Sequence, residues 1–239
     1  MNKIGQNLQF IKQEIATIAK QCQRDPETIT LVAVSKTKTV NDIKQAIMAG
    51  QLEFGENYVQ EGVDKIKHFM ESQPKTPLIW HFIGPLQSNK TRLVAEYFDW
   101  IHTIERLKIA ERLSIQRPTG KLPINVLIQI NISEEISKSG IAPSEMMQLA
   151  KQISTLPNLT LRGLMAIPSI ETDTAKQRLV FEKMKLLFQQ LKTSYPSVDT
   201  LSMGMSNDMA SAIESGSTLV RIGSAIFGAR NYDSQEKFA

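Results

Sequence analysis

The stretch Leu31-Val32-Ala33-Val34-Ser35-Lys36 decides how the rest of the chain is interpreted. Its four consecutive apolar residues predict a strand buried on both faces, as in parallel sheets. Lys36 then lies at the carboxyl end of that strand, on a rigid support. Partial burial disfavours the ammonium form of lysine, and a neutral lysine can attack a carbonyl carbon and form a Schiff base. The competing interpretation is a solvated lysine that ends a strand, because lysine is usually exposed.

The same strand-then-helix unit is repeated along the whole chain. The further predicted strands are residues 52–57, 78–83, 100–104, 125–130, 161–167, 200–203 and 219–222. Apolar strands that alternate with helices are typical of parallel α/β folds. A doubly wound open sheet is the alternative, but eight strands, about 240 residues and the lack of a Gly-x-Gly-x-x-Gly turn after the first strand favour a closed (β/α)8 barrel of the TIM type.

The helices are predicted from apolar residues spaced by three and four. An extra N-terminal helix over residues 3–22 precedes the first strand, and Asn41 is the expected N-cap of the next helix. The buried positions are expected at Ile4, Leu8, Ile11, Ile15 and Ile18 in the extra helix, at Val59, Val63, Ile66 and Met70 after the second strand, and at Val180, Met184, Leu187 and Leu191 after the sixth.

Composition limits the classes of protein that the chain can belong to. Its 239 residues carry 28 Lys and Arg against 24 Asp and Glu, without a basic run of the kind that binds nucleic acid. Cys22 is the only cysteine, which excludes an intramolecular disulfide and a cysteine-cluster metal site. No segment resembles a signal peptide or a membrane span, so we expect a cytoplasmic protein. We expect a single domain over 1–239, with a core of about 4–228 and a C-terminal tail at 229–239.

Two late loops predict a phosphate site on the rim that carries Lys36. In barrels, active groups follow the strands, and phosphate is often bound by the loops after strands seven and eight. Residues 203–207 and 221–224 supply glycine, hydroxyl groups and Arg221 at those positions. Ordinary strand-ending turns are the alternative for either loop alone. A rim lysine opposite a phosphate site is typical of Schiff-base aldolases acting on sugar phosphates and of pyridoxal phosphate proteins, and Arg221 could face the ring nitrogen of that cofactor.

Six motifs in order resemble the pyridoxal phosphate homeostasis protein family, from about Ile4 to Gly228. This family in turn resembles the barrel domain of bacterial alanine racemase. The motifs are residues 33–37 (AVSKT), 54–58 (FGENY), 81–90 (HFIGPLQSNK), 164–165 (LM), 202–208 (SMGMSND) and 220–224 (VRIGS).

The resemblance implies pyridoxal 5'-phosphate as cofactor and a role for individual residues. Lys36 would hold it as a Schiff base. The phosphate would lie at Ser206, Gly223 and Ser224, with Ser202 as a further neighbour. Arg221 would face the pyridine nitrogen, and Asn57 and Met165 would line the ring. His81 lies within an apolar strand and is interpreted as a hydrogen-bonded histidine of the barrel core rather than an acid or base.

The predicted role is that of a carrier rather than a catalyst. Racemisation needs an acid or base on each face of the cofactor, and in alanine racemases the second one is a tyrosine from a separate domain. Of the four tyrosines here, only Tyr58 is predicted near the rim. We therefore expect cofactor buffering or delivery, with pyridoxal phosphate-dependent apoenzymes as recipients, no membrane or nucleic-acid partner, and a monomer. A weak amino-acid racemase and a sugar-phosphate aldolase are the alternatives.

Overall fold

The strands close into a barrel in chain order. The structure, a computed structural model, describes residues 2–73, 75–133, 135 and 138–229; of the predicted tail, residues 230–239 lie outside this range. All neighbouring strands are parallel, and the last strand pairs with the first through a register that joins Thr30 to Leu219 and Ala33 to Ile222. The strands are β1 (Thr30–Val34), β2 (Glu53–Glu56), β3 (Ile79–Phe82), β4 (Trp100–Ile104), β5 (Ile124–Gln129), β6 (Leu159–Met165), β7 (Thr200–Ser202) and β8 (Leu219–Ile222). The predicted (β/α)8 barrel is confirmed.

Helices surround the barrel and cover the outer face of the sheet. They are α1 (Lys3–Gln21), α2 (Val40–Met48), α3 (Val59–Ser72), α4 (Thr91–Tyr97), α5 (Leu107–Gln116), α6 (Met146–Ile153), α7 (Thr174–Ser194), α8 (Met209–Glu214) and α9 (Ser224–Phe227). Apolar side chains of the sheet and of the helices form one continuous core. Because both faces of each strand are covered, the strands read as apolar runs rather than as alternating patterns.

Helix α1 is the predicted extra helix, and it packs against α2, α8 and α9. Asn2 caps its start, with the side-chain oxygen accepting from the Gly5 amide at 2.7 Å. After the helix, the Arg24 guanidinium donates to the carbonyl oxygens of Ile213 at 2.7 Å and Ser217 at 2.8 Å. These bonds connect the end of α1 to α8 and to the segment between α8 and β8, so the extra helix is held next to the strand that closes the barrel.

Three helix details differ from the predictions. Helix α2 starts two residues earlier than expected, because Thr39 is its N-cap and forms a reciprocal capping box with Asp42; Asn41 is therefore not the cap. In α3 Val63 and Ile66 are buried as expected, but Phe69 is buried in place of Met70, which is 57% exposed, and Val59 is only partly buried. Helix α7 turns its aromatic residues inward, so Phe181 and Phe188 are buried with Met184 and Leu191, while Val180 and Leu187 are only partly buried.

Candidate functional site

A cavity of about 340 Å³ lies at the carboxyl ends of the strands. Residues at or just after the ends of β1, β2, β3, β6, β7 and β8 line it. Its volume is within the usual range for small-molecule sites, about 300–1,000 Å³. The structure brings six of the eight predicted cofactor residues together there. They are Lys36, Asn57, Ser206, Arg221, Gly223 and Ser224.

Two lysines line this cavity, and they differ in their surroundings. The Lys38 ammonium donates to the carbonyl oxygens of Phe227 at 3.2 Å, Gly228 at 3.2 Å and Ala229 at 2.8 Å. It thereby ties the β1 loop to the end of α9. Because its three N–H groups serve these carbonyls, Lys38 has a structural role.

The segment that carries Lys36 is fixed on both sides by a buried charged cluster, which consists of Ser35, Glu56, Glu61 and Lys65. The Lys65 ammonium donates to the Ser35 carbonyl oxygen at 2.7 Å, to Glu56 Oε1 at 2.9 Å and to Glu61 Oε1 at 2.6 Å. The Ser35 hydroxyl donates to Glu56 Oε1 at 2.5 Å, and the Thr37 amide donates to Glu61 Oε1 at 2.6 Å.

This cluster sets both the geometry and the charge around the lysine. Thr37 has a φ of +61°, a left-handed conformation that is rare for a β-branched residue and that its bond to Glu61 stabilises. Burial raises the pKa of Glu56 to about 7, and the nearby Lys65 offsets only part of that rise. Ser35 and Thr37 are therefore both anchored, so the backbone of Lys36 has little freedom.

The two predicted phosphate loops meet at the rim of the cavity, where β8 is the immediate neighbour of β1. The Ser206 and Ser224 hydroxyl oxygens are 3.4 Å apart, although 18 residues separate them in sequence. Helix α9 begins at Ser224, directly after Gly223, and the first amides of a helix have no intrahelical acceptor. The Asp208 carboxylate accepts from the Met205 amide at 2.6 Å and so shapes the β7 loop, while burial raises the pKa of this carboxyl. Two hydroxyl groups and the first residues of a helix thus lie together at the cavity rim, and groups of this kind are suited to binding an anion.

A buried guanidinium forms part of the cavity wall. Arg221 is only 4% exposed, and it donates from Nη1 to the Ser202 hydroxyl at 2.6 Å and from Nη2 to the Ala166 carbonyl at 3.0 Å. Burial lowers its pKa to about 10, against an opposing effect of Asp208. Arg221 therefore stays cationic at neutral pH, and two hydrogen bonds fix its orientation.

Asn57 presents an unsatisfied acceptor. Its side-chain Oδ1 is buried and has no hydrogen-bond partner among the described residues, although the residue lines the cavity. Buried polar atoms are nearly always paired, and an exception calls for an explanation. A ligand that donates a hydrogen bond at this position would provide one.

Met165 and Ser202, the other two predicted cofactor residues, do not line the cavity. They end β6 and β7, face each other in register and are both fully buried. Ser202 contacts Arg221 instead of the open space. The sequence analysis did not predict several other lining residues, most of them in the segment 167–171 after β6.

His81 is a satisfied barrel-core histidine, as predicted. It is fully buried and hydrogen-bonds to Glu53 and to His102, a residue that the sequence reasoning did not single out. Within the described part of the chain, no three His, Cys, Asp or Glu side chains are grouped so that they could hold a metal ion. In the same residues, no helix has the length and apolar character needed to cross a membrane.

Comparisons with known proteins agree with this geometry. The model of the alanine racemase N-terminal domain family matches residues 6–231. A protein of Pasteurella multocida named pyridoxal phosphate homeostasis protein is 62% identical over 231 residues, which are 96% of this chain and 98% of that protein. A protein of the same name from Escherichia coli K12 is 60% identical, with 98% and 100% covered. These names describe homeostasis proteins and not enzymes.

Solved structures extend the likeness to three dimensions. The structure of PipY from Synechococcus elongatus, described as having PLP bound, is 33% identical and has a TM-score of 0.76 over 90% of this chain and all of that one. Alanine racemase from Corynebacterium glutamicum is 15% identical, and this chain covers 63% of it with a TM-score of 0.64, which shows a shared fold. The chain therefore belongs to the alanine racemase N-terminal domain family and, within it, to the pyridoxal phosphate homeostasis proteins.

Proposed function

We propose that this chain binds pyridoxal 5'-phosphate and serves in cofactor homeostasis, by buffering the cofactor or delivering it to apoenzymes, with Lys36 as the covalent anchor. The observation that carries the proposal is the convergence of six predicted residues on one cavity. The name shared by relatives at 60–62% identity supports the same conclusion, as does the PLP described in the PipY structure.

Each polar feature of the cofactor has a suitable group in the cavity. Lys36 would supply the amine for a Schiff base with the aldehyde, which releases water, and the Ser206 and Ser224 loops would supply donors for the phosphate. Asn57 Oδ1, which is unpaired among the described residues, would be available to accept from a ring hydroxyl. Arg221 offers a fixed cation to the ring nitrogen. When bound, pyridoxal phosphate supplies a reactive aldehyde and an aromatic ring that withdraws electrons from an attached amine.

The same residues favour storage over turnover. A cationic Arg221 disfavours a proton on the ring nitrogen, and an unprotonated ring is a poorer electron sink for a carbanion. Tyr58 lies two residues after the end of β2, but it is not among the described residues that line the cavity. Met165 and Ser202 would act from behind the cavity wall, the first by packing and the second by holding Arg221.

Three further inferences complete the proposal. Only one cysteine is present, so the fold needs no oxidising compartment, and we place the protein in the cytoplasm. We also propose that it acts as a monomer. The recipients are pyridoxal phosphate-dependent apoenzymes, which would take the cofactor from Lys36 by exchange with their own lysine.

Borohydride reduction of the protein incubated with pyridoxal phosphate, followed by peptide mass spectrometry, tests the anchor. We expect one pyridoxyl group on Lys36 and none on Lys38, which the fragmentation spectrum separates. Lys36→Ala should abolish the visible absorption band of the loaded protein, whereas Lys108→Ala, at an exposed position of α5, should retain it. A label on Lys38, or a Lys36→Ala protein with an unchanged band, would refute the anchor.

Incubation of the loaded protein with L-amino acids, with chiral analysis of the products, tests the role. We expect no accumulation of D-amino acid above the level of the Lys36→Ala protein. Accumulation that requires Lys36 would identify an enzyme and overturn the carrier proposal.

A further inference from the structure

A hydrogen-bonded chain of side chains crosses the interior of the barrel and ends at Arg221. Glu53 Oε2 lies 2.9 Å from His81 Nε2, and His81 Nδ1 lies 2.9 Å from His102 Nε2. His102 Nδ1 lies 3.0 Å from Ser202 Oγ, which is 2.6 Å from Arg221 Nη1. These five residues, here called the interior chain, come from β2, β3, β4, β7 and β8.

The interior chain is a costly feature in a barrel core. Barrel interiors are normally filled by branched apolar side chains. Here His81, His102 and Ser202 are completely buried, and only Glu53, the first residue of β2, reaches solvent, with 28% of its side chain exposed. Buried polar groups are tolerated when every member is paired, so the pairing pattern is decisive.

Donor and acceptor chemistry fixes the direction of every bond. A guanidinium only donates, so Ser202 Oγ accepts from Arg221. A carboxylate only accepts, so His81 Nε2–H donates to Glu53. With both imidazoles neutral, His102 Nε2–H donates to His81 Nδ1, and the Ser202 hydroxyl donates to His102 Nδ1. Each side chain then donates a hydrogen bond to the next one, from the Arg221 guanidinium to the Glu53 carboxylate, and each bond of the chain has one donor and one acceptor.

The opposite direction leaves a group unpaired. If His102 carried its hydrogen on Nδ1, Ser202 would accept from both neighbours, and its own hydrogen would have no acceptor among the described residues. A buried hydroxyl without a partner costs about 1–3 kcal/mol. Burial lowers the pKa of His102 well below its usual value, and the nearby His81 and Arg221 lower it further, so His102 is neutral.

We propose that Glu53, His81 and His102 are positioning residues that hold Arg221 in place for the cofactor ring. They act through Ser202. His102 Nδ1 accepts the hydrogen bond of the serine hydroxyl, so the serine oxygen is oriented to accept a hydrogen bond from Arg221 Nη1. Without the histidine the hydroxyl hydrogen loses its acceptor, so nothing sets the orientation of the serine oxygen toward Nη1. This inference rests on the proposed function for its ligand, but the interior chain itself can be tested without one.

The first test uses the protein without cofactor. Long-range proton–nitrogen NMR spectra of the uniformly ¹⁵N-labelled chain report which nitrogen of each of the three histidines carries hydrogen. We expect His81 and His102 to be neutral Nε2–H tautomers at pH 7.5, and the side-chain signals of Arg221 to shift in Glu53→Gln. Glu27→Gln, at an exposed carboxylate before β1, is the control and should leave them unmoved. An Nδ1–H form of His102, or Arg221 signals that Glu53→Gln does not move, refutes the proposal.

The second test uses the loaded protein. Pyridoxal phosphate labelled with ¹⁵N in the ring should give the shift of an unprotonated nitrogen in the wild type, and a shift toward the protonated form in His102→Leu and, to a smaller extent, in Glu53→Gln. The dissociation constant should rise about 2- to 10-fold, the loss of one hydrogen bond. Val126→Ala, which disturbs buried packing outside the interior chain, should leave the ring signal unchanged.

The two proposals fail in different ways. If the wild-type protein takes up no cofactor, the proposed function is contradicted. The histidine tautomers, measured without cofactor, still show whether the hydrogen bonds of the interior chain run in the proposed direction. Cofactor bound normally with an identical ring signal in wild type, His102→Leu and Glu53→Gln contradicts the interior chain alone. Should His102→Leu fail to fold, Glu53→Gln decides, because its side chain lies at the solvent-exposed end of the interior chain, away from the residues that line the cavity.

Discussion

Glu56→Gln tests how much stability the protein loses by burying a charged carboxylate in the cluster beside Lys36. The substitution removes the charge and keeps the shape of the side chain. Glutamine has the shape and the neutrality of a protonated glutamate. Its side-chain oxygen can still accept from Lys65 and from the Ser35 hydroxyl, as Glu56 Oε1 does at 2.9 and 2.5 Å. Lys65 keeps its second carboxylate, Glu61, at 2.6 Å. The substitution therefore removes a titration and leaves the hydrogen bonds in place.

The pKa of Glu56 gives the size and the sign of the effect. Burial raises this pKa from 4.5 to about 7 in the folded protein. Between these values the folded state binds more protons than the unfolded state, so the free energy of unfolding falls as pH rises. From pH 5 to pH 8 this group alone lowers the stability of the wild type by about 2–3 kcal/mol. Glu56→Gln lacks this loss.

Urea denaturation at several pH values between 5 and 8 measures the difference. The free energy of unfolding of Glu56→Gln minus that of the wild type should become more positive by about 2–3 kcal/mol over this interval. Glu111→Gln, at an exposed site on α5, should run parallel to the wild type. Parallel curves for Glu56→Gln as well would mean that Lys65 fully compensates the buried carboxylate, and the reasoning from burial would be refuted.

Two further substitutions test how the barrel is held together. Gly163→Ala should abolish folding or lower the free energy of unfolding, measured by urea denaturation, by more than about 3 kcal/mol. Gly163 has a φ of +150°, and a Cβ there would lie 1.8 Å from the Thr200 carbonyl oxygen. An unchanged free energy of unfolding would contradict the close approach of β6 and β7. Arg117→Met should lower the melting temperature by about 5 °C or more, since it removes donors to three carbonyls between α4 and β5, and the exposed Arg92→Met is its control.

Much of the fold could be predicted because parallel strands covered on both faces leave an unmistakable apolar run. Residues 31–34 and 125–130 are examples, and both form strands in the structure. The spacing of apolar residues in a helix predicts the buried face, but it does not determine which of two adjacent residues is buried. Phe69 and Met70 are 100° apart around α3, so a small rotation of the helix decides between them, and packing of the Phe69 ring against Trp80 favours the phenylalanine.

The position of the candidate site could be predicted for those residues that come just after the ends of strands. Lys36, Ser206 and Ser224 follow strand ends, and closing the barrel brings any residues at strand ends to one rim. Ser202 was harder to place. It is the last residue of its strand, and the sequence does not say whether such a residue points into the cavity or toward a neighbour inside the barrel.

The interior chain was invisible to sequence reasoning for the same reason that the strands were easy to find. When both faces of a strand are buried, a histidine within it gives no sign of which face it occupies. His81 and His102 are each the third residue of a strand, and only the closed sheet shows that both turn to the same interior space. Their pairing depends on strand register, in which His81 lies opposite Trp100 rather than His102.

The two buried polar systems each hold a different functional group of the site in place. The charged cluster of Ser35, Glu56, Glu61 and Lys65 fixes the backbone that carries the amine, and the interior chain fixes the guanidinium. Apolar residues at either place would give a more stable barrel, since buried charges seldom contribute net stability. Departures from an apolar core are expected where a protein holds functional groups in a fixed geometry. That both systems end at residues lining one cavity is the strongest structural argument that the cavity binds a ligand needing an amine and a cation in fixed positions.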